Sequence, residues 1–196
     1  VVGAQAFFED GDTLPREVIP VINESDASLL GALGHKDVSE EYSRKVLSFL
    51  RIDKNTFANI RPFKQYSVIS SKEKSRDIDI IVVRDNAEGF SLKHPGTLFN
   101  KFGVDNRIIT DIGAKKIIKF AFEYASKQNR RSIVCIDQSN WLFSDQMFRK
   151  KYIELSKEYP YFKSQRIHVD MGAMMLTRNP HKFDVIVTPG FHGDVL

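Results

Sequence analysis

The 196-residue chain is poor in the features that announce several large classes of protein. It has one cysteine, so a disulfide within the chain is excluded, and no CxxC or Cys/His cluster exists to bind zinc. That cysteine, Cys135, lies inside the apolar run Ser132 to Ile136 and reads as a buried small hydrophobe rather than a nucleophile. No apolar run is long enough to span a bilayer and no signal peptide opens the chain, which predicts the cytoplasm or a mitochondrial matrix. Positive charge exceeds negative by only four, with a pI near 9.1. No Lys/Arg block exceeds three residues, so nucleic acid is a poor match; Lys72 to Arg76 and Arg149 to Lys151 read as solvated faces.

What is present is an ordinary globular composition, 42% hydrophobic, enough for one sizeable core or for one domain and a piece of another. The organising stretch is Asp77 to Ser91. Its run Ile78 to Val83 is short and mostly β-branched, which predicts a strand buried on both faces. It stops at Arg84, Asp85, Asn86 and Glu88, before Gly89. Ligands of open α/β sheets bind outside the carboxyl ends of strands, so Arg84 is there either for an anion or for a surface ion pair.

In chain order, Val1 to Phe8 predicts the middle of a strand and turn, Pro15 to Asn23 a short helix, and Ala27 to Gly34 a strand running into a glycine turn. Glu40 to Phe49 is a charged amphipathic helix with Tyr42, Val46 and Leu47 available for one face. Phe57 and Ile60 are core candidates, and Pro62 biases Arg61 toward an extended conformation. Val68 to Arg76 is a polar loop, and Leu92 to Asn106, with three glycines and prolines among scattered aromatics, is an excursion or arm. Gly113 to Gln128 is the clearest helix, with Ile117, Ile118, Ala121, Phe122 and Ala125 at helical spacing. Arg131 to Ile136 is a strand; Ser144 caps a helix through Lys157 that turns Phe148, Tyr152 and Leu155 inward. Arg166 to Asp170 predicts a short strand, Gly172 to Arg178 a small helix, and Phe183 to Thr188 another buried strand. The alternation predicts an α/β fold, with polar residues delivered at four strand ends: Arg84 to Asn86, Asp137 to Asn140, Asp170 and Asp194. Trp141 and the Met171, Met174, Met175 group read as core or dimer-interface packing. Both chain ends fall where an element should continue, which suggests a fragment.

Five motifs in order, NTFANIRPFK (55–64), IIVVRDNAEG (80–89), CIDQSN (135–140), HVDMGAMMLTRNP (168–180) and FDVIVTPGFHGD (183–194), resemble the β-decarboxylating dehydrogenases: the isocitrate, isopropylmalate and homoisocitrate enzymes. The resemblance implies an isopropylmalate dehydrogenase-like sheet with flanking helices. Residues 1–60 would be part of a large, cofactor-side domain and residues 61–196 most of a small substrate-binding and dimerising domain. It implies further that Arg51, Arg61 and Arg84 hold substrate carboxylates, that Asp170 and Asp194 are two of the Mg²⁺ or Mn²⁺ ligands, with Asp170 serving the other subunit of a dimer, and that Asn140 lies on the NAD(P) side. The chemistry is coherent, because guanidinium forks grip carboxylates bidentately and hard cations take oxygen ligands.

Two departures stand out. The family's proton-transferring lysine is Gln138 here, and its tyrosine acid is Ser91. An amide exchanges no proton near neutral pH and a serine hydroxyl is a short, weak acid. The resemblance therefore implies a degenerate paralogue or regulatory subunit, a pseudoenzyme that keeps carboxylate binding and pairs as a homodimer or with a catalytic paralogue. The alternatives are an active NAD(P)-dependent oxidative decarboxylase of a di- or tricarboxylate 2-hydroxy acid and, from another class, an RNA- or protein-binding module. His192 and His168 stand near the two aspartates, while His35, His94 and His181 read as loop residues.

Overall fold

A computed structural model describes residues 1–65, 78–90 and 96–196, with the side chains of Glu40 and Ser43 also outside the description. The chain divides into two compact units, Val1–Thr56 and Phe57–Leu196. The boundary falls just before the NTFANIRPFK motif turns into a strand, so the motif's Ala58 to Lys64 belong wholly to the second unit.

The first unit is helical. Its elements are α1 (Ala4–Asp10), α2 (Val18–Glu24) and α3 (Glu40–Ser48), the last running into a π-helical turn, Phe49–Asp53. The core is small: Ala6, Leu14, Val38 and Val46 are buried, and Thr13 hydrogen-bonds through its hydroxyl to the carbonyl of Tyr42 at 2.6 Å. Two expectations fail here. Val1 to Phe8 belongs to a helical turn rather than a strand, closed at Gly11 by a left-handed φ of 73° and a hydrogen bond from its N–H to the Phe7 carbonyl. Ala27 to Gly34 forms no strand, and Leu29 lies fully in solvent. Its leucines make a run too short to tell a strand from an irregular segment, and among the described residues no neighbouring strand pairs with it.

The second unit is built on a five-stranded sheet. Its strands are β1 (Ala58–Lys64), β2 (Asp79–Asp85), β7 (Ser132–Asp137), β8 (Lys163–His168) and β9 (Val185–Thr188), in the order β1-β2-β9-β7-β8. Only β1 runs antiparallel to its neighbour. Consequently β2, β9, β7 and β8 all deliver their carboxyl ends to one edge. The long helices α4 (Asp111–Lys127) and α5 (Phe143–Ser156) pack on one face, over Ile81, Val83, Ile133, Cys135, Val185 and Val187. The opposite face, with Ile80, Val82, Val134, Ile136 and Ile186, receives α6 (Val169–Arg178). Strand residues alternate between the two clusters, as period-2 geometry requires of a strand covered on both sides.

The helices follow their sequence pattern. All six apolar residues on the inner stripe of α4 are buried, and Thr110 caps it by accepting a hydrogen bond from the Gly113 N–H at 3.0 Å. On α5, Phe148, Tyr152 and Leu155 point inward, and the Tyr152 hydroxyl donates to the Ile133 carbonyl at 2.9 Å. Ser144 does not cap α5; it lies inside the helix and accepts from Arg107 instead. Nor is Arg149 to Lys151 a solvated face, because Arg149 pairs with buried Asp137 and Lys151 is buried between Asp111 and Glu154. Asp170 falls in the first turn of α6 rather than in a strand, since β8 ends at His168. Trp141 is 79% exposed, which removes it from the core, and Met171 and Met174 are also exposed, whereas Met175 packs against the second cluster.

From the excursion between β2 and α4, the described residues give β3 (Gly89–Phe90) paired with β6 (Arg107–Ile108) and a hairpin of β4 (Gly96–Leu98) and β5 (Gly103–Asp105). Phe99 and Phe102 stack across its tip at 4.5 Å, largely in solvent. An arm rather than a core element is what the composition implied. The polar loop Val68 to Arg76 and position 91 lie outside the described residues.

Candidate functional site

The carboxyl edge of the sheet is closed by a one-turn helix, α7 (His192–Val195), reached from β9 through Pro189, Gly190 and Phe191. Its approach to β2 is unusually close. A Cβ on Gly193 would stand 2.7 Å from Cγ of Arg84 and 2.9 Å from Cγ2 of Thr188, and one on Gly190 would stand 2.8 Å from the Asp85 carbonyl oxygen. Bare backbone at both positions lets α7 lie directly on the end of the central strand.

Arg84 comes from β2 and Arg61 from β1. Asn59 pairs with Arg84 in the ladder, so Arg61, two residues further on, is its diagonal neighbour on the same face, about 7–8 Å away and within reach of long side chains. The two guanidiniums meet on one carboxylate, that of Asp194. Arg61 Nη2 donates to Oδ1 at 2.8 Å, and Arg84 Nη2 is ion-paired with Oδ2. The remaining donors brace the pair: Arg61 Nη1 reaches the Gly193 carbonyl at 2.8 Å and Nε reaches Asn59 Oδ1 at 3.2 Å, while Arg84 Nε donates to the Gly190 carbonyl at 2.6 Å. The side chain of Arg84 is 8% exposed, that of Arg61 33% and that of Asp194 51%. The arrangement is a cationic clamp, nearly buried at Arg84 and half-exposed at Asp194.

A second polar cluster sits on the same edge, over the end of β7. Asp145, in the first turn of α5, is wholly buried. Its Oδ2 accepts from the Gln138 backbone N–H at 2.6 Å and lies 2.7 Å from His192 Nε2; its Oδ1 is ion-paired with Arg107. Burial pushes the carboxyl pKa up, yet His192, the Gln138 N–H and Arg107 together outweigh it and leave Asp145 below the ordinary carboxylate value. Gln138 thus serves this cluster through its backbone, and its side-chain Oε1 is buried without a hydrogen-bond partner among the described residues, as are Nε and Nη2 of Arg107.

A third carboxylate, Asp85, occupies the opposite face of β2 from Arg84. It turns the chain by accepting from the N–H groups of Ala87 and Glu88 at 2.9 and 3.1 Å. Burial dominates its environment and raises its pKa to about 6. Beyond it, Glu88 ties the loop to α4 by accepting from the Thr110 N–H and hydroxyl.

Of the residues singled out from sequence, Arg61, Arg84 and Asp194 come together. Arg51 belongs to the first unit, where it lies partly buried in the π-helical turn. Asp170 is exposed at the start of α6 and accepts from the adjacent Met171 N–H. Asn140 is exposed in the turn after β7, and a single amide does not by itself fit a dinucleotide. Ser91 lies outside the described residues. His192 faces Asp145 rather than the clamp, and His168 stands at the N-cap position of α6 without a side-chain capping bond. Both oxygens of Asp194 are engaged by guanidiniums, and no group of three His, Cys, Asp or Glu side chains able to hold a metal ion occurs among the described residues. In this arrangement the aspartates do not fit a divalent cation. Cys135 is buried and its thiol is pushed well up by burial and by Asp137, which removes it as a nucleophile.

Sequence inspection missed Arg107, Asp145 and the role of Asp85. No local signal marks the first two, since an aspartate in a helix's first turn is ordinary and only distant partners make it unusual.

Comparison with known proteins places these features. The model of the isocitrate/isopropylmalate dehydrogenase family matches residues 1–196. The homoisocitrate dehydrogenase of Methanocaldococcus jannaschii is 33% identical over 205 residues, spanning 99% of this chain and 58% of that protein. The 3-isopropylmalate dehydrogenase of Thermotoga maritima is 32% identical over 206 residues, spanning 100% and 58%. Among solved structures, a Thermus thermophilus protein superposes with a TM-score of 0.87 at 28% identity, over 99% of this chain and 39% of that one. The isocitrate dehydrogenase of Methylococcus capsulatus gives 0.82 at 24% identity, over 99% and 57%, a likeness of fold. The chain spans little more than half the length of the curated relatives it matches.

Proposed function

Because the chain belongs to the isocitrate/isopropylmalate dehydrogenase family, we propose that it binds the carboxylates of a small di- or tricarboxylate 2-hydroxy acid while lacking proton transfer of its own. The observation that carries the first half is the meeting of Arg61 and Arg84 on a single carboxylate. Two planar forks aimed at one point are suited to an organic acid, and the nearly buried Arg84 strengthens the attraction by standing in a low-dielectric setting.

The second half is supported by Gln138. A lysine here could exchange a proton with a substrate hydroxyl; the amide cannot, and its buried Oε1 has no donor among the described residues to relay one. Ser91, where the family resemblance puts a phenol, removes a second acid. Each such loss forfeits on the order of 10²–10⁴-fold in rate. What this chain's residues still do is hold and orient a carboxylate at the carboxyl edge of the sheet. The corresponding role is that of a regulatory subunit or degenerate paralogue, paired with a second copy or with a catalytic partner through a surface such as the exposed Met171 and Met174 of α6. No helix among the described residues is long and apolar enough to cross a membrane.

The test is to follow NAD(P) reduction by the full-length protein with isocitrate and with 3-isopropylmalate, before and after Gln138→Lys combined with Ser91→Tyr. The unmodified protein should be inert and the double variant at least about 10²-fold faster. Equal turnover in the two would show that the native residues suffice and would make the protein a working dehydrogenase.

A further inference from the structure

The clamp that the proposed function assigns to a ligand is already filled, by the protein's own carboxylate. Each oxygen of Asp194 takes one guanidinium, which is the pattern a bound acid would adopt. Of the Arg61 nitrogens, Nε is turned to Asn59 and Nη1 to the Gly193 carbonyl while Nη2 holds Asp194, so an incoming carboxylate shared with Arg84 competes with Asp194 for Nη2. Arg84 is nearly buried, and one carboxylate replacing another keeps the charge balance beside it.

Release is easy on the other side. The Asp194 side chain is half-exposed, so on leaving the clamp it can turn to solvent. We infer that Asp194 is a competitor built into the site, which a small organic acid displaces from Arg61 and Arg84 on binding. The inference rests on the carboxylate-binding reading above. It accounts for the poor fit of Asp194 to a cation, because the side chain is engaged until the clamp takes something else. It also sets the apparent affinity. If Asp194 leaves the clamp in only a tenth of the molecules, the measured dissociation constant is about tenfold weaker than that of the open clamp.

Calorimetric titration with isocitrate and with 3-isopropylmalate, in EDTA to exclude divalent cations, tests this on the wild-type protein, Asp194→Asn and Asp194→Ala. Both variants should bind at least about 10-fold more tightly than wild type, and saturating acid should raise their melting temperatures by more. A variant too unstable to titrate should be restored to cooperative melting by the acid. Variants that bind as wild type does, or more weakly, and unstable variants that no acid restores, overturn the displacement while wild-type binding leaves the carboxylate reading intact. Folded proteins that bind neither acid, wild type and variants alike, overturn that reading and this inference with it.

Discussion

Two carboxylates on the same edge of the sheet are each held between basic side chains, and they differ in nearly everything else. Asp194 is half in solvent, on a single helical turn, between two arginines that come from adjacent strands. Asp145 has no exposed surface and sits at the head of a 14-residue helix, between Arg107, His192 and the Gln138 N–H. Desolvation makes the difference. A buried carboxylate that loses its partners is left an uncompensated charge, whereas a half-exposed one can leave for water at small cost when another anion takes its place on the buried arginine. The same pairing is therefore a fixture of the fold over β7 and an exchangeable contact over β1 and β2.

Asp145→Ala is the hardest test of that contrast. It leaves Arg107 almost fully buried with no anion, takes the partner from His192, and orphans the Gln138 N–H, so a loss of about 3–5 kcal/mol is expected. Chemical denaturation at pH 7 measures it. Because the Asp145 pKa is lowered in the folded state, its carboxylate binds fewer protons there than when unfolded, and stability falls as pH drops through the carboxylate range. The variant should not show that part of the acid loss. A cost under about 1 kcal/mol would place Asp145 with exposed pairs and erase the distinction.

Asp85 sharpens the comparison by lacking a clamp. It is as buried as Arg84 beside it, yet its Oδ2 has no hydrogen-bond partner among the described residues, and burial lifts its pKa to about 6. A carboxyl raised in the folded state holds its proton there after the unfolded chain has released it. Stability therefore falls as pH rises from about 4 to about 6 and stays reduced above. Asp85→Asn keeps an oxygen for the Ala87 and Glu88 N–H groups and removes the charge. It should stabilise the protein by about 2–3 kcal/mol at pH 7.5, and the gain should vanish below pH 4. Urea unfolding at the two pH values decides it, and a gain that persists in acid would show that the charge is not its source.

The framework of the second unit was open to sequence reading because its core is periodic. Ile117, Ile118, Ala121, Phe122 and Ala125 fall on one stripe and all are buried, and the β-branched runs of β2 and β9 are covered on both faces as their composition implies. The first unit was legible only in α2 and α3, which fall where Pro15 to Asn23 and Glu40 to Phe49 predict helices. The leucines of Ala27 to Gly34 carry the composition of a strand with no sheet to join among the described residues, and in Val1 to Phe8 a helix begins at Ala4, just after the opening valines. At the site, Arg61 and Arg84 could be found because motifs mark them. The partners of Asp145 lie 38 and 47 residues away, at Arg107 and His192, and no spacing rule links such positions. That Asp194 would sit in the clamp rather than beside it also depends on α7 pressing onto β2, which the two glycines permit and no periodicity reports.

Gly193 gives the smallest effect and the most direct probe of that approach. Adding a methyl group there drives Cβ against Cγ and Cβ of Arg84 and against Thr188, none of which is the free end of a flexible chain. Backbone adjustment of α7 is the only relief, at a cost of about 1–3 kcal/mol. The helix turn would move off β2 and carry Asp194 away from Arg61 and Arg84, whose own strands stay put. Gly193→Ala should therefore lower stability modestly while tightening acid binding in the direction expected of Asp194→Asn, because both open the clamp. If the alanine instead weakens acid binding as much as it weakens the fold, then α7 forms part of the ligand's own contacts, and the clamp needs its lid in place to work.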